Sequence, residues 1–155
     1  MWKEAEGLRC AAIAQAILET STLEHVDLAA ANDITLTGAN AIFVAMLGNS
    51  SVNSLDLSSK PSCVRNRIVL KEMLIYNKSL KHLNVAGTSL GHEGLQVLAR
   101  GLMGNTCLLT LDISQNSAGN KGASYIAEVL KVCALEELSM SENRIGKTMA
   151  VVNLR

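Results

Sequence analysis

Five times along the chain an apolar residue is followed, three and five places later, by two more. They are Leu23, Val26 and Leu28 in "LEHVDLAAAN"; Val52, Leu55 and Leu57 in "VNSLDLSSK"; Leu80, Leu83 and Val85 in "LKHLNVAGT". Leu108, Leu111 and Ile113 in "LLTLDISQN", and Leu135, Leu138 and Met140 in "LEELSMSEN", complete the set. The lead residues are 29, 28, 28 and 27 residues apart. A constant period of this size restricts the chain to a stack of one supersecondary unit, because a unit so short cannot bury its apolar face alone.

Within each unit the alternation predicts a short strand, whose fourth and sixth places point into a core while the residues between them face outward. An Asn stands in or beside the ninth place as Asn32, displaced by one, Asn116 and Asn143, where its amide can satisfy backbone groups as the chain leaves the strand. Lys60 and Thr88 interrupt that column. Helical spacing fills the rest of the period. Ile42 and Met46, Leu70 and Leu74, and Leu98 and Leu102 sit ten and six places before the next lead, and Ile13 and Ile17 keep the same offsets before Leu23. Asn49, Asn77 and Asn105 each fall three places before a strand lead, where a left-handed Asn is expected to end the helix. Asn49-Ser50-Ser51 and Asn77-Lys78-Ser79 also match a glycosylation acceptor, but they lie inside this repeated column.

The motif L-x-x-L-x-L-x-x-N resembles the leucine-rich repeat. Units of 27 to 29 residues with a full helix, turned into through "GHEG" or "GNKG", are similar to the ribonuclease-inhibitor type. The resemblance covers nearly the whole chain from Cys10 onward. It implies an α/β solenoid with parallel strands on a concave face and helices on the convex one. The expected organisation is a single repeat domain over residues 1–155, with residues 1–22 as a helical cap or the helix of an incomplete repeat. Repeats then start near 23, 52, 80, 108 and 135, and the last is incomplete. The class includes ribonuclease inhibitors, sensor ends of NOD-like receptors, a Ran GTPase-activating protein and actin regulators such as tropomodulin. No set of functional residues from any of them can be matched here.

Composition narrows the function classes. With 48% apolar residues but only 3% aromatics among 155, the core must be built from evenly sized aliphatic side chains, which suits a repeated layer. Fourteen basic and fourteen acidic residues cancel, so no global field attracts nucleic acid or an anionic membrane. No apolar run is long enough to span a bilayer, and "CAAIAQAIL" reads as an amphipathic helix rather than a signal peptide. Cys10, Cys63, Cys107 and Cys133 show neither CxxC spacing nor a disulfide framework, favouring a reducing, cytoplasmic setting with the nucleus also open.

The outward strand positions are the first candidates for a binding surface. They carry seven acids, Glu24, Asp27, Asp56, Asp112, Glu136, Glu137 and Glu142, against one base, Lys81, a net of minus six in a chain of zero net charge. A protein partner with a basic surface is one reading, with His25, His82 and Asn84 on the same face. The other is that Asp serves solubility and local hydrogen bonding. Trp, Tyr, Phe and Arg, the usual energetic anchors, do not occur at these positions. A second candidate is the irregular stretch "SSKPSCVRNRIVL", which holds the chain's one proline, Pro61, and the basic pair Arg65 and Arg67. It reads as a docking loop or as a tolerated irregularity.

Neither a metal site nor a catalytic group emerges. His25 and His82 lie two strands apart, about 9 to 10 Å, too far for one ion. Cys63 has no His and acid placed to activate it, and an open solenoid offers no water-excluding pocket. The expected function is a protein-interaction scaffold or adaptor without enzyme activity, cofactor or metal. A regulatory binder, such as an enzyme inhibitor or a tropomodulin-like actin regulator, is the alternative. A GTPase activator using Arg65 or Arg67 toward phosphate is a weaker one. Stacked repeats also need covered ends, so further repeats, an adjoining domain or an oligomer mate are expected there.

Overall fold

The computed structural model describes residues 2–29, 34–59 and 66–146, with side chains from Cys10 onward. Helices and strands alternate as α1 (Trp2–Glu19), β1 (His25–Asp27), α2 (Leu36–Gly48), β2 (Ser54–Asp56) and α3 (Arg67–Tyr76). They continue as β3 (His82–Asn84), α4 (Gly91–Leu102), β4 (Thr110–Asp112), α5 (Gly119–Val129) and β5 (Glu137–Ser139). The strands form one parallel sheet in the order β1-β2-β3-β4-β5. Each of α2 to α5 is the crossover that a parallel connection requires, α1 precedes the first strand, and α1 to α5 pack against their neighbours in the same sequence.

Register follows the period. Val26, Leu55, Leu83, Leu111 and Leu138 stand opposite one another on neighbouring strands. Side chains at this place and two residues on enter the core, so Leu55, Leu57, Leu83, Val85, Leu111 and Ile113 are buried. From the helix side come Ile42 and Met46, Leu70 and Leu74, and Leu98 and Leu102, all buried, with Ile17 from α1. The helical reading of "CAAIAQAIL" is met: Cys10, Ala14 and Ile17 are buried on one face of α1, while Ala11, Gln15 and Leu18 are exposed. Leu23 departs from its column, being 41% exposed where Val52, Leu80 and Leu108 are buried.

The ninth-place Asn does what its spacing suggests. Asn116 is fully buried, and its Oδ1 accepts from the amides of Thr88 and Leu90 in the preceding coil. Its Nδ2 donates to the carbonyls of Val85, Ile113 and Ser114. Asn143 repeats the arrangement one coil on. Thr88, expected to break the column, instead maintains part of it: its buried hydroxyl donates to the Val85 carbonyl at 2.7 Å. Asn32 and Lys60 lie outside the described residues.

The expectation of left-handed Asn caps is corrected. Asn49 and Asn77 have φ −87° and −68° with ψ 140° and 133°, which is extended backbone. Their side chains explain the choice of residue. Asn49 Oδ1 accepts from the amides of Ser51 and Val52, and its Nδ2 donates to the Ile17 and Thr20 carbonyls of the preceding coil. Asn77 and Asn105 repeat this bridge between helix end and previous helix end. Both Asn of the acceptor motifs are therefore buried and fully engaged.

Left-handed backbone occurs instead on the opposite rim, where the chain turns from strand to helix. Ser59, Gly87, Gln115 and Glu142 share one such place, and Ser89, Ser117 and Arg144 another. Gly91 and Gly119 begin α4 and α5 at φ +62° and +60°, a conformation that costs glycine nothing.

Candidate functional site

The outward positions assemble into parallel columns across the sheet. One contains His25, Ser54, His82, Thr110 and Glu137, and the next contains Asp27, Asp56, Asn84, Asp112 and Ser139. Over β2 to β5 they line a shallow depression of about 190 Å³, which brings Asp56, His82, Asn84, Asp112 and Glu137 together. Glu24, His25, Asp27, Lys81 and Glu142 are exposed but do not line it. His82 Nδ1 lies 2.9 Å from Thr110 Oγ1 within the depression.

The acidic column has a local duty as well. Asp27, Asp56 and Asp112 each accept, through Oδ1, the amide two residues on, at 2.9, 2.8 and 2.8 Å, and Asn84 does the same toward Ala86 at 3.0 Å. This Asx turn releases the chain from each strand. A carboxylate and an amide are interchangeable for that purpose, so the turn requires Asx and leaves its charge unexplained.

Amide side chains also meet the acids between coils, which the sequence reading missed. Asn53 donates to Glu24 at 3.2 Å, Asn84 to Asp56 at 2.8 Å and Gln115 to Glu142 at 3.2 Å. Each pair occupies equivalent places in adjacent units, so aligning the units puts the pairs side by side. Neutral amides leave the net negative charge of the face in place.

Arg67 is not a free docking or finger group. As the first residue of α3 it donates through one Nη to Glu93 at 2.7 Å and through the other to the Leu90 carbonyl at 3.3 Å. It thereby joins two coils, and a role toward phosphate, which needs an unpaired guanidinium, loses this candidate. Arg65, with Pro61 and Cys63, lies outside the described residues. His25 and His82 lie on β1 and β3 with β2 between them, and no group of three or more potential metal ligands occurs among the described residues. Among those residues no helix is long and apolar enough to cross a membrane.

On the helix side a second groove of about 250 Å³ runs between α4 and α5, lined by Gln96, Ala99, Arg100, Met103, Tyr125, Glu128 and Val129. Met103 is 68% exposed there. Its place, five before a strand lead, is apolar in every unit, as Leu18, Leu47, Ile75, Met103 and Leu130. That column is readable from the sequence, but its exposure is not.

Comparison with known proteins places this geometry. The family model described as Leucine Rich repeat matches residues 76–99 and 104–127. The chain is 32% identical over 96 residues to leucine-rich repeat-containing protein 45 of Gallus gallus, covering 61% of this chain and 14% of that protein. It is 29% identical over 110 residues to NACHT, LRR and PYD domains-containing protein 5 of Homo sapiens, covering 69% and 9%. It is 32% identical over 145 residues to capping protein, Arp2/3 and myosin-I linker protein 2 of Mus musculus, covering 86% and 11%. The chain thus spans between 9% and 14% of the length of these curated relatives. Among solved structures, leiomodin-1 actin-binding site 2 superposes with a TM-score of 0.71 at 20% identity, covering 82% of this chain and 76% of that one. At that identity the likeness concerns the fold.

Proposed function

Since the chain is a leucine-rich repeat protein, we propose that it is a protein-interaction scaffold that receives a basic segment of its partner on the strand-lined face. One observation carries the reading: Asp56, Asp112 and Glu137 converge on the depression over β2 to β5, and Asn84 makes without a charge the same turn that Asp56 and Asp112 make. A field of one sign on a smooth surface favours encounter with an opposite charge and register along it more than tight anchoring. The face is built from Ala29, Ser58, Ala86 and Ser114 beside the acids, so its contacts are weak individually and add along the sheet.

The test separates charge from turn. Asp112→Asn with Glu137→Gln keeps the oxygen that accepts the Ser114 amide and removes two charges from the depression. Capture of partners from a lysate by the full chain should weaken, and its dependence on salt should flatten. Capture unchanged in strength and salt dependence would move the site off this face.

A second reading, an actin-filament regulator, has support from the relative named for linking Arp2/3 and myosin-I and from the structural neighbour named as an actin-binding site. Filament co-sedimentation of the full chain decides it. Pelleting with filaments above the chain's own background supports this role, and a chain that stays in the supernatant ends it.

A further inference from the structure

Arg100 and Glu128 hold the same place in successive units, nine residues after Gly91 and Gly119, and stand on opposite walls of the helix-side groove between α4 and α5. The residues beside them account for the groove. A methyl group on Gly101 would lie 3.0 Å from Leu74 Cβ and 3.4 Å from the Lys71 Cα, so α4 lies tight against α3 there. Val129 is the equivalent residue of α5, and its buried side chain holds α5 off α4 where a glycine would let the two helices close. At the first turn Gly122 keeps them near, since a methyl group on it would lie 3.4 Å from the His92 Cα. The helices therefore part toward their C-terminal ends, and Ala99 and Val129 form the floor of the space between them.

The lining of this groove differs in kind from the strand face. Tyr, Met and Arg are side chains that protein interfaces concentrate, because they join a large contact area to a polar tip or an adaptable shape. They do not occur at the outward strand positions, whereas the groove brings Arg100, Met103 and Tyr125 together. Met103 is also the outlier of its column. It is 68% exposed, while Leu47, Ile75 and Leu130 at the same place in other units are half-buried. Arg100 and Glu128 are exposed beside it, one cation and one anion flanking an apolar floor.

We infer that the groove receives an amphipathic helix of a partner protein, with its apolar stripe on Met103 and Tyr125, an acid beside Arg100 and a base beside Glu128. The backbone selects a helix. Both walls are helices whose own amides and carbonyls are bonded along their axes, so a strand laid between them would find no pairing, whereas a helix arrives with its backbone satisfied. The charges select its flanks. Opposite signs on the two walls match opposite signs on the two sides of the stripe, and an occupant basic or acidic on both sides meets one like charge. A uniformly basic segment of the kind that suits the strand face is therefore the wrong occupant here. The groove lies on the helix side and does not depend on what the strand face binds.

The experiment selects binders of the full chain from a displayed library of helical peptides that share one leucine stripe at helical spacing and vary freely at the flanking positions. The selected peptides should carry an acid on one flank and a base on the other. Met103→Asp should weaken their binding by at least about 10-fold. Arg100→Glu makes both walls acidic and should turn the selection toward peptides basic on both flanks. The inference is overturned if no peptide binds above background, if the selected flanks show no charge preference, or if binding is indifferent to Met103→Asp. Binding that is lost with Asp112→Asn instead would put the helix on the strand face and also overturn it. So would a concentration-dependent dimer of the chain that Met103→Asp dissolves, since a second copy would then fill the groove. Met103→Lys repeats the measurement if the aspartate variant loses its helical circular dichroism.

Discussion

Asn77 donates its side-chain amide to the Met46 carbonyl at 2.5 Å, across the joint between two coils, while its Oδ1 accepts from the amides of Ser79 and Leu80 at 3.0 and 2.7 Å. One buried side chain therefore ends its own helix, starts its own strand and fastens both to the preceding coil. Asn77→Ala leaves the buried amides and the carbonyl without partners, which should cost about 2 to 4 kcal/mol. Urea unfolding should show a lower midpoint with an unchanged slope. A shift equivalent to less than about 0.5 kcal/mol would mean that water replaces the amide at no cost.

Position in the stack should set the cost of a lost leucine. Leu111 is buried between two neighbouring strands, so Leu111→Ala should destabilise by about 2 to 5 kcal/mol. Leu138 occupies the same column but is half-buried on β5, the last strand among the described residues, and Leu138→Ala should cost about 1 kcal/mol. Equal losses in parallel denaturant titrations would show that Leu138 is covered in solution.

Two glycines should respond differently to alanine. At Gly91 a methyl group meets nothing within 4 Å, and the cost is confined to the left-handed backbone at φ +62°, about 1 kcal/mol. At Gly122 it would lie 2.7 Å from Ala118 Cβ, 3.2 Å from Leu95 Cδ2 and 3.4 Å from His92 Cα, so α5 must move away from α4. Gly122→Ala should cost about 2 to 3 kcal/mol, the larger of the two losses. The reverse order in thermal unfolding would refute this packing argument.

Arg67 predicts a pH effect at Glu93. Its hydrogen bond, and then its charge, hold the Glu93 carboxyl below the usual carboxylate range, with His92 adding to the effect. A depressed folded-state value contributes stability above the unfolded carboxylate range, and that contribution is lost as the pH falls through the lowered value. Exposure of Glu93 keeps the effect small and screened by salt. In a carbon-detected NMR titration, Arg67→Met should move the Glu93 midpoint upward toward the ordinary range. A midpoint indifferent to the substitution would show that the pair does not persist in solution.

The sequence by itself determined the period, the five strands, their helices and the residues that fill the core. Each of these depends on side chains recurring at fixed places within one coil, and Leu55, Leu83 and Leu111 announce themselves by spacing alone. The same counting brought the acids of the strand face into columns. Only the tertiary structure decided what bonds between coils. Asn49 and Asn77 were legible as a column, but their extended backbone and their reach into the previous coil were not, because a helix-ending Asn and a bridging Asn occupy the same place in sequence. Spacing puts Arg67 in an irregular basic stretch and names no partner for it, yet it pairs with Glu93, 26 residues away, because the stacking of α3 beside α4 sets their distance. Asp56 was read as a surface charge, and Asn84 in the next coil turned out to share it. Spacing encodes which side of a coil a residue faces, whereas partners across a joint are fixed only when two coils stack and their backbones come into register.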